Sequence, residues 1–284
     1  MRRRFINGAF KFAAAGCALL ACGVLVLIIF AILRRGLPAM HWSFFTEQIR
    51  LVGAAGGIFY NLLGTLILIG TALLISTPVA VGLALVHGVY LRHHTRRERF
   101  AAVLYLLNGM PSILFGLFGL IVFVKFLGWG KSWLAGGIVL GIMILPTVTV
   151  ALIERIASLP VAYFEAAAGL GLRESQIIWS VILPQSAGGL VTGSLLGLAR
   201  AAGETAPIMF TATIFAGATV PHGIKDSPVL SLPYHVFILA QDSFDPAVGA
   251  KLWGSALVLL GLVVFMSLVA LPLRLKIHEE ARHD

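Results

Sequence analysis

Residues 154–187 read ERIASLPVAYFEAAAGLGLRESQIIWSVILPQSA and lie between two strongly apolar segments. Pro160 can open a helix, and VAYFEAAAGL has helix-forming composition. Gly169 and Gly171 then interrupt it, and RESQIIWSVIL can start a second helix. Two short helices at an angle, with Ala166, Ala167 and Ala168 beside the Glu165 carboxylate, make a compact knob. A helix lying on a membrane normally presents several Lys or Arg to the headgroups. Arg173 is the one basic residue of the knob, so a docking element for a soluble partner fits better than a surface-lying segment.

The surroundings of this stretch set the class. Hydrophobic residues make up 59% of the 284 and charged residues 12%, with mean hydropathy +0.96. Soluble domains carry about 25% charge. Spans of about 20 apolar residues leave room for roughly six helices in this length. They are expected at 12–33, 60–87, 101–126, 134–153, 188–213 and 252–273. The fold class is an all-α polytopic membrane protein with six transmembrane helices. Of the 21 Lys and Arg, an N-in arrangement puts thirteen inside and seven outside, with Arg200 inside the fifth span. Both ends therefore face the cytoplasm, N-in/C-in, with Arg34 and Arg35 against the trend. The net charge of +9 follows from this topology and gives no reason to invoke nucleic acid.

Several local patterns are decoys. MRRR before an apolar run resembles a signal peptide, but the run is too long and lacks a small-x-small cleavage site, so a retained first helix is expected. LLAC at 19–22 faintly resembles a lipoprotein box, yet the residues after Cys22 stay apolar. Cys17 and Cys22 do not share a helix face, so neither a disulfide nor a metal site is suggested. His93 and His94 belong to a basic inner turn, and the other histidines lack ligand spacing. GWGKS at 128–132 has the tail of a phosphate loop, but Lys125 stands where the first glycine is required. No ATP site is legible, and no cofactor or metal is expected on this chain.

Pro78, Pro111, Pro146, Pro207 and Pro272 fall in or at the ends of the spans, where each frees a carbonyl that must find another partner. GGIFYNLLGT (56–65) and PSILFGLFG (111–119) allow helices to approach closely through small residues. The segment ARAAGETAP, 199–207, carries the only charges between Ser175 and Ile224, Arg200 and Glu204. A charge at the bilayer centre costs roughly 2.5–3.5 kcal/mol on insertion scales, which disfavours an unpaired Arg200 facing lipid. At i and i+4 the two share a face, although Arg before Glu is the poorer order for helix support. A guanidinium offers a planar fork matched to two oxyanion oxygens. Glu204 would hold it and limit trapping of the anion, and Thr205 adds a hydroxyl. At ~1.5 Å per residue Arg200 lies about 24 Å beyond Pro184, at or past the bilayer middle. The alternative is an ion pair that locks this helix to a neighbour. The outside segment, about 214–251, is long enough to meet an external protein or to act as a lid over the bundle.

Glu165-Ala166-Ala167, three residues, Gly171, nine residues, then Val181-Ile182-Leu183-Pro184 resembles the EAA loop of type I ABC importer permeases. The one departure is Val181, where the family prefers Ile. The resemblance implies the type I ABC importer permease fold. It makes the loop a coupling helix seated on a cytoplasmic ATPase, with Glu165 as polar anchor and Ala166, Ala167 and Gly171 keeping the fit close; Pro184 closes the motif. ARAAGETAP with IMFTA, the two glycine-bearing blocks and SLPYHVFILA (231–240) resemble the PstA family of phosphate-specific importer permeases. That family implies inorganic phosphate as substrate and a homologous PstC-type permease as heterodimer partner. It also implies two PstB-type ATPases, which use ATP and Mg²⁺, and an external PstS-type binding protein. The expected organisation is an N-terminal tail, first helix and external loop at 1–57, a permease core at 58–274 with the coupling loop at about 154–187, and a cytoplasmic tail at 275–284. The location is the bacterial cytoplasmic (inner) membrane, in contact with lipid. Another oxyanion (sulfate, molybdate, phosphonate) is the alternative substrate. A secondary anion transporter would usually need more helices and internal repeats, and an intramembrane enzyme a paired acid or metal constellation.

Overall fold

The computed structural model describes residues 2–50, 55–91, 93–217, 220–241 and 245–283, with only the backbone course for 2–6, 8, 9, 247 and 270–283. Arg92 and Asp242 lie outside the described residues, as do the side chains of Arg2, Arg3, Arg4, Pro272, Arg274, Lys276 and Arg282. The chain begins with α1 (Arg2–Gly36), α2 (Trp42–Thr46) and a small antiparallel hairpin, β1 (Ile49–Arg50) with β2 (Ala55–Gly56). It continues through α3 (Phe59–Leu85), α4 (His94–Gly109), α5 (Ser112–Gly119) and α6 (Trp133–Ala157). Then come α7 (Val161–Gly169), α8 (Glu174–Ile177), α9 (Leu183–Gly203), α10 (Ala206–Thr211), α11 (Leu232–Gln241) and α12 (Pro246–His283).

Among the described residues, five helical segments are long and apolar enough to cross a membrane, and a bent pair, taken as one span, makes the sixth. That pair is the expected third span. In place of one rod over 101–126 there are α4 and the segment Ser112–Phe126, bent by 89°. The physical reason is at the joint. Met110 and Pro111 are both extended, with ψ of 138° and 131°. Pro111 has no N–H to continue the ladder and disfavours helix in the residue before it.

The bundle is built around α6, which packs α3 on one side and α9 on the other. Small residues make both contacts. On α9, Gly189, Gly193 and Gly197 form a seam: a Cβ there would meet Arg155 Cβ at 2.4 Å, Ala151 Cβ at 3.0 Å and Val148 Cγ2 at 3.1 Å. On α6, a Cβ at Gly137 would lie 2.4 Å from Thr71, and one at Gly141 would lie 3.1 Å from the Ala72 carbonyl. In lipid, where helices gain little by hiding apolar surface from each other, such close backbone approach supplies the van der Waals contact that holds them. The central core joins Leu68, Phe115, Leu140, Met143, Ile144 and Ile208 from α3, α5, α6 and α10.

The most apolar stretch of α1 buries nothing within this chain; toward its outer end the Arg35 guanidinium lies 4.9 Å over the Trp253 ring. The expected tail at 275–284 continues α12 as helix as far as His283. On the outer side, the described parts of 214–251 are tied to the start of α6 and to α3. Trp133 Nε1 donates to the Gly223 carbonyl at 2.8 Å, and Lys131 Nζ donates to the carbonyls of Met209 (2.9 Å) and Thr213 (3.1 Å).

Within that segment α11 is docked on α3, its Leu232 N–H donating to Thr65 Oγ1 at 2.8 Å. His235 of α11 is 2% exposed and stacks on Phe215 with ring centroids 6.1 Å apart. Burial first, and the positive charge of Lys251 second, lower its pKa from 6.5 to about 4. The folded protein therefore keeps His235 neutral while an unfolded α11 would bind a proton below pH 6.5. Stability is fully present above 6.5 and is lost as pH falls toward 4, on the order of 2 kcal/mol by pH 5. Amide exchange in α11, corrected for intrinsic rates, is expected to quicken between pH 7 and pH 5, and His235→Gln to flatten the dependence. Equal protection at both pH values in the unmodified protein would refute this.

Candidate functional site

The α6-facing stripe of α9 ends near Arg200, and three residues later the helix stops. Glu204 is extended (φ −79°, ψ 127°), and Thr205, the residue before α10, has φ −107°, ψ −46°. Gly203 is a poor helix residue, and Pro207 in the first turn of α10 cannot extend the preceding ladder. The expected continuous span over 188–213 is thus a helix, a break and a six-residue helix. Arg200 and Glu204 do not share a face of one helix, because Glu204 has left it. Their closest approach, Nε to Oε1, is 3.9 Å, with the side chains 27% and 18% exposed.

The nearest partner of Arg200 is one the sequence did not suggest. Its Nη1 donates to Asn108 Oδ1 at 2.6 Å, and Nη2 lies 3.5 Å from the Asn108 carbonyl. Thr147 Oγ1 of α6 donates to the same Oδ1 at 3.0 Å. Asn108 is the last residue but one of α4, immediately before the α4–α5 bend. The bend and the α9–α10 break are packed together. A Cβ on Gly116 of α5 would lie 2.9 Å from the Ala206 carbonyl and 3.0 Å from Pro207 Cα. The site is therefore one guanidinium where two interrupted helices meet against α6. Hydrogen bonds to a charged group contribute about 1.5–3 kcal/mol each, which offsets the cost of bringing Arg200 here.

Chemically, a cation whose strongest partner is a neutral amide keeps much of its charge for an incoming anion. Glu204 at 3.9 Å tempers that charge without capturing it. Thr205 is half-buried beside the break; its carbonyl accepts from Met209 N–H at 3.0 Å, and its hydroxyl makes no cap to α10. Among the described residues no three His, Cys, Asp or Glu side chains gather as a metal site.

At the inner end, Pro160 precedes α7 with ψ 135° and so opens it as expected. Glu165 and Ala166 are exposed on α7 and Ala167 is buried at 4%. Gly171 adopts φ +74°, a conformation open to glycine and costly for other residues. The second short helix is not a separate part of a knob. α8 runs through a π-helical turn, Ile178–Ile182, into α9. The turn lies just ahead of exposed Pro184, whose missing N–H disrupts regular i→i−4 pairing there. With α6 reaching Ala157, the connection shrinks from 154–187 to 158–173. A cavity of about 330 Å³ opens between α7 and this stem, lined by Tyr163, Ala166, Ala167, Leu170, Leu172 and Val181 among others. Leu170 and Trp179 stand exposed near it, 80% and 74% accessible. The inner end thus presents a small-residue helix with the Glu165 carboxylate exposed on it and an apolar recess beside it.

The family described as binding-protein-dependent transport system inner membrane component matches residues 76–275. Curated relatives include the phosphate transport system permease protein PstA of Xylella fastidiosa (strain 9a5c), 32% identical over 97% of this chain and 94% of its own. The probable phosphate transport system permease protein PstA of Methanocaldococcus jannaschii is 31% identical over 96% and 94%. PstA 2 of Mycobacterium tuberculosis is 29% identical over 87% and 83%. Among solved structures, the MetNI methionine ABC transporter in inward-facing conformations matches with a TM-score of 0.57 at 17% identity, over 78% of this chain and 94% of that one. That likeness carries the fold.

Proposed function

The chain belongs to the binding-protein-dependent transport system inner membrane components, as a PstA-type permease, and from that premise we propose that it conducts inorganic phosphate past Arg200. It is a multi-pass, non-catalytic transmembrane subunit of an ABC importer, and ATP is hydrolysed by a separate subunit. It works with a second permease, an ATPase and a binding protein. We assign these more finely as a PstC-type permease in a heterodimer, two PstB-type ATPases and an external PstS-type protein. ATP and Mg²⁺ belong to the ATPases and no cofactor to this chain. The permease core is 58–274.

One observation carries the substrate reading: a guanidinium held by an amide where two helices break, with Glu204 its one ion-pair partner among the described residues. A phosphate arriving there meets a planar donor fork and partial positive charge in a poorly screened setting. Glu204 would keep the anion from binding too tightly to leave, and Thr205 can supply a hydroxyl donor. Glu165, Ala166, Ala167, Gly171 and Pro184 form the inner end that the ATPase would grip. Closure of the ATPases on ATP would draw two such ends together and expose the Arg200 region outward; hydrolysis would return it inward.

The test is labelled phosphate uptake in cells lacking their own permease, complemented with this chain and its partner subunits, with arsenate, sulfate and molybdate as competitors. Restored uptake inhibited by arsenate alone is expected. Strong competition by sulfate or molybdate would assign the same permease to another oxyanion.

A further inference from the structure

Resting on the reading of Arg200 as the ligand of the anion, we infer that Asn108 is a built-in substitute for that anion, a positioning residue that latches the pathway until phosphate displaces it. A guanidinium recognises an oxyanion through two adjacent N–H groups that point the same way. In this state both such edges are engaged. Nη1 and Nη2 face Asn108, at 2.6 Å from its side-chain oxygen and 3.5 Å from its carbonyl. Nε faces Glu204 at 3.9 Å. The amide oxygen thus stands where one phosphate oxygen would stand, and its carbonyl marks the place of the second.

The position of Asn108 gives the substitution a mechanical consequence. It lies at the end of α4, before the 89° bend, and its Oδ1 also accepts from Thr147 on α6. One oxygen therefore ties three elements together: the end of α4, the middle of α6 and the end of α9. A phosphate that takes the guanidinium edge removes the tie between α4 and α9 and leaves Asn108 on Thr147 alone. Substrate arrival and release of the bend become the same event. The anion would make two short bonds where the amide makes one short bond and one long contact, and that difference is what would drive the displacement.

Asn108→Ala removes the substitute and leaves Arg200 waiting. Asn108→Asp replaces it with a carboxylate that phosphate cannot readily displace. Thr147→Val removes only the hydroxyl that holds Oδ1 in place. The whole complex, reconstituted in phospholipid vesicles with its external binding protein, would be assayed for phosphate uptake and ATP hydrolysis at matched complex levels. Asn108→Ala is expected to raise ATP hydrolysed per phosphate moved at least threefold, because the latch no longer waits for the anion. Asn108→Asp is expected to lower maximal uptake at least tenfold at saturating phosphate. Thr147→Val should shift the ratio in the direction of Asn108→Ala by a smaller factor, and it decides the matter if the Asn108 variants fail to assemble. Unchanged ratios and rates in the assembled variants would overturn the latch. Arg200→Gln run in parallel separates the two readings: normal uptake there removes the premise, whereas lost uptake with silent Asn108 and Thr147 variants removes the latch alone.

Discussion

Arg200→Gln is expected to abolish phosphate uptake, on the order of 100-fold or more, while the complex stays assembled in the membrane. Glutamine keeps a polar amide on a helix-compatible stem but ends well short of the Nη positions, so the bond to Asn108 Oδ1 goes with the guanidinium. What is lost is the charge and the paired donors. Two charge-assisted bonds to an anion at about 1.5–3 kcal/mol each correspond to a factor of roughly 100 or more. The surrounding fold has little reason to fail, since the seam at Gly189, Gly193 and Gly197 and the core around Met143 do not include the Arg200 side chain. Removing the cation also leaves Glu204 less neutralised, which opposes an incoming anion further. The check is labelled uptake beside the membrane level of the complex. Uptake within twofold of the unmodified protein would remove Arg200 from the pathway.

Glu165→Lys is expected to uncouple transport by releasing the ATPase, with uptake down roughly tenfold or more. The carboxylate is exposed on α7 at the inner end, so reversing its charge leaves the chain's own packing intact. At an interface built to receive a carboxylate, the reversal replaces attraction with repulsion, and such juxtapositions cost several kcal/mol. The helix it sits on is held elsewhere, by buried Ala167 and by the stem that carries Ile178 and Ile182. The expected result is a chain that reaches the membrane at normal level but loses the ATPase during purification. Co-purification at the ordinary ratio together with normal uptake would count against Glu165 as the anchor.

Much of this was legible from residue types alone, and the misses share one cause. The bend after Asn108 had a local signal in NGMP at 108–111, where an Asn-Gly pair precedes a proline, but an apolar run on both sides hid it. The α9–α10 break had its own, Gly203 followed by Pro207, and was masked by reading the span as a uniform rod. The glycine seam of α9 was present as three glycines spaced by four. Asn108 and Thr147 carried no signal, because a lone Asn and a lone Thr in apolar surroundings are common and nothing in their neighbourhoods points toward residue 200.

The sequence by itself determined the membrane class, the number of crossings, the inner loop between the fourth and fifth spans and the one cationic residue worth asking about. These rest on hydropathy, on the placement of Lys and Arg, on a spaced motif and on the cost of charge in lipid, all of which are properties of residues read in order. Only the tertiary structure decided what Arg200 touches. Asn108 is 92 positions away in the chain, and Thr147 is 39 from Asn108. Hydrogen-bond partners across such separations are chosen by how closely helices pack and where they break, and those follow from glycine contacts and missing proline N–H groups acting together in three dimensions.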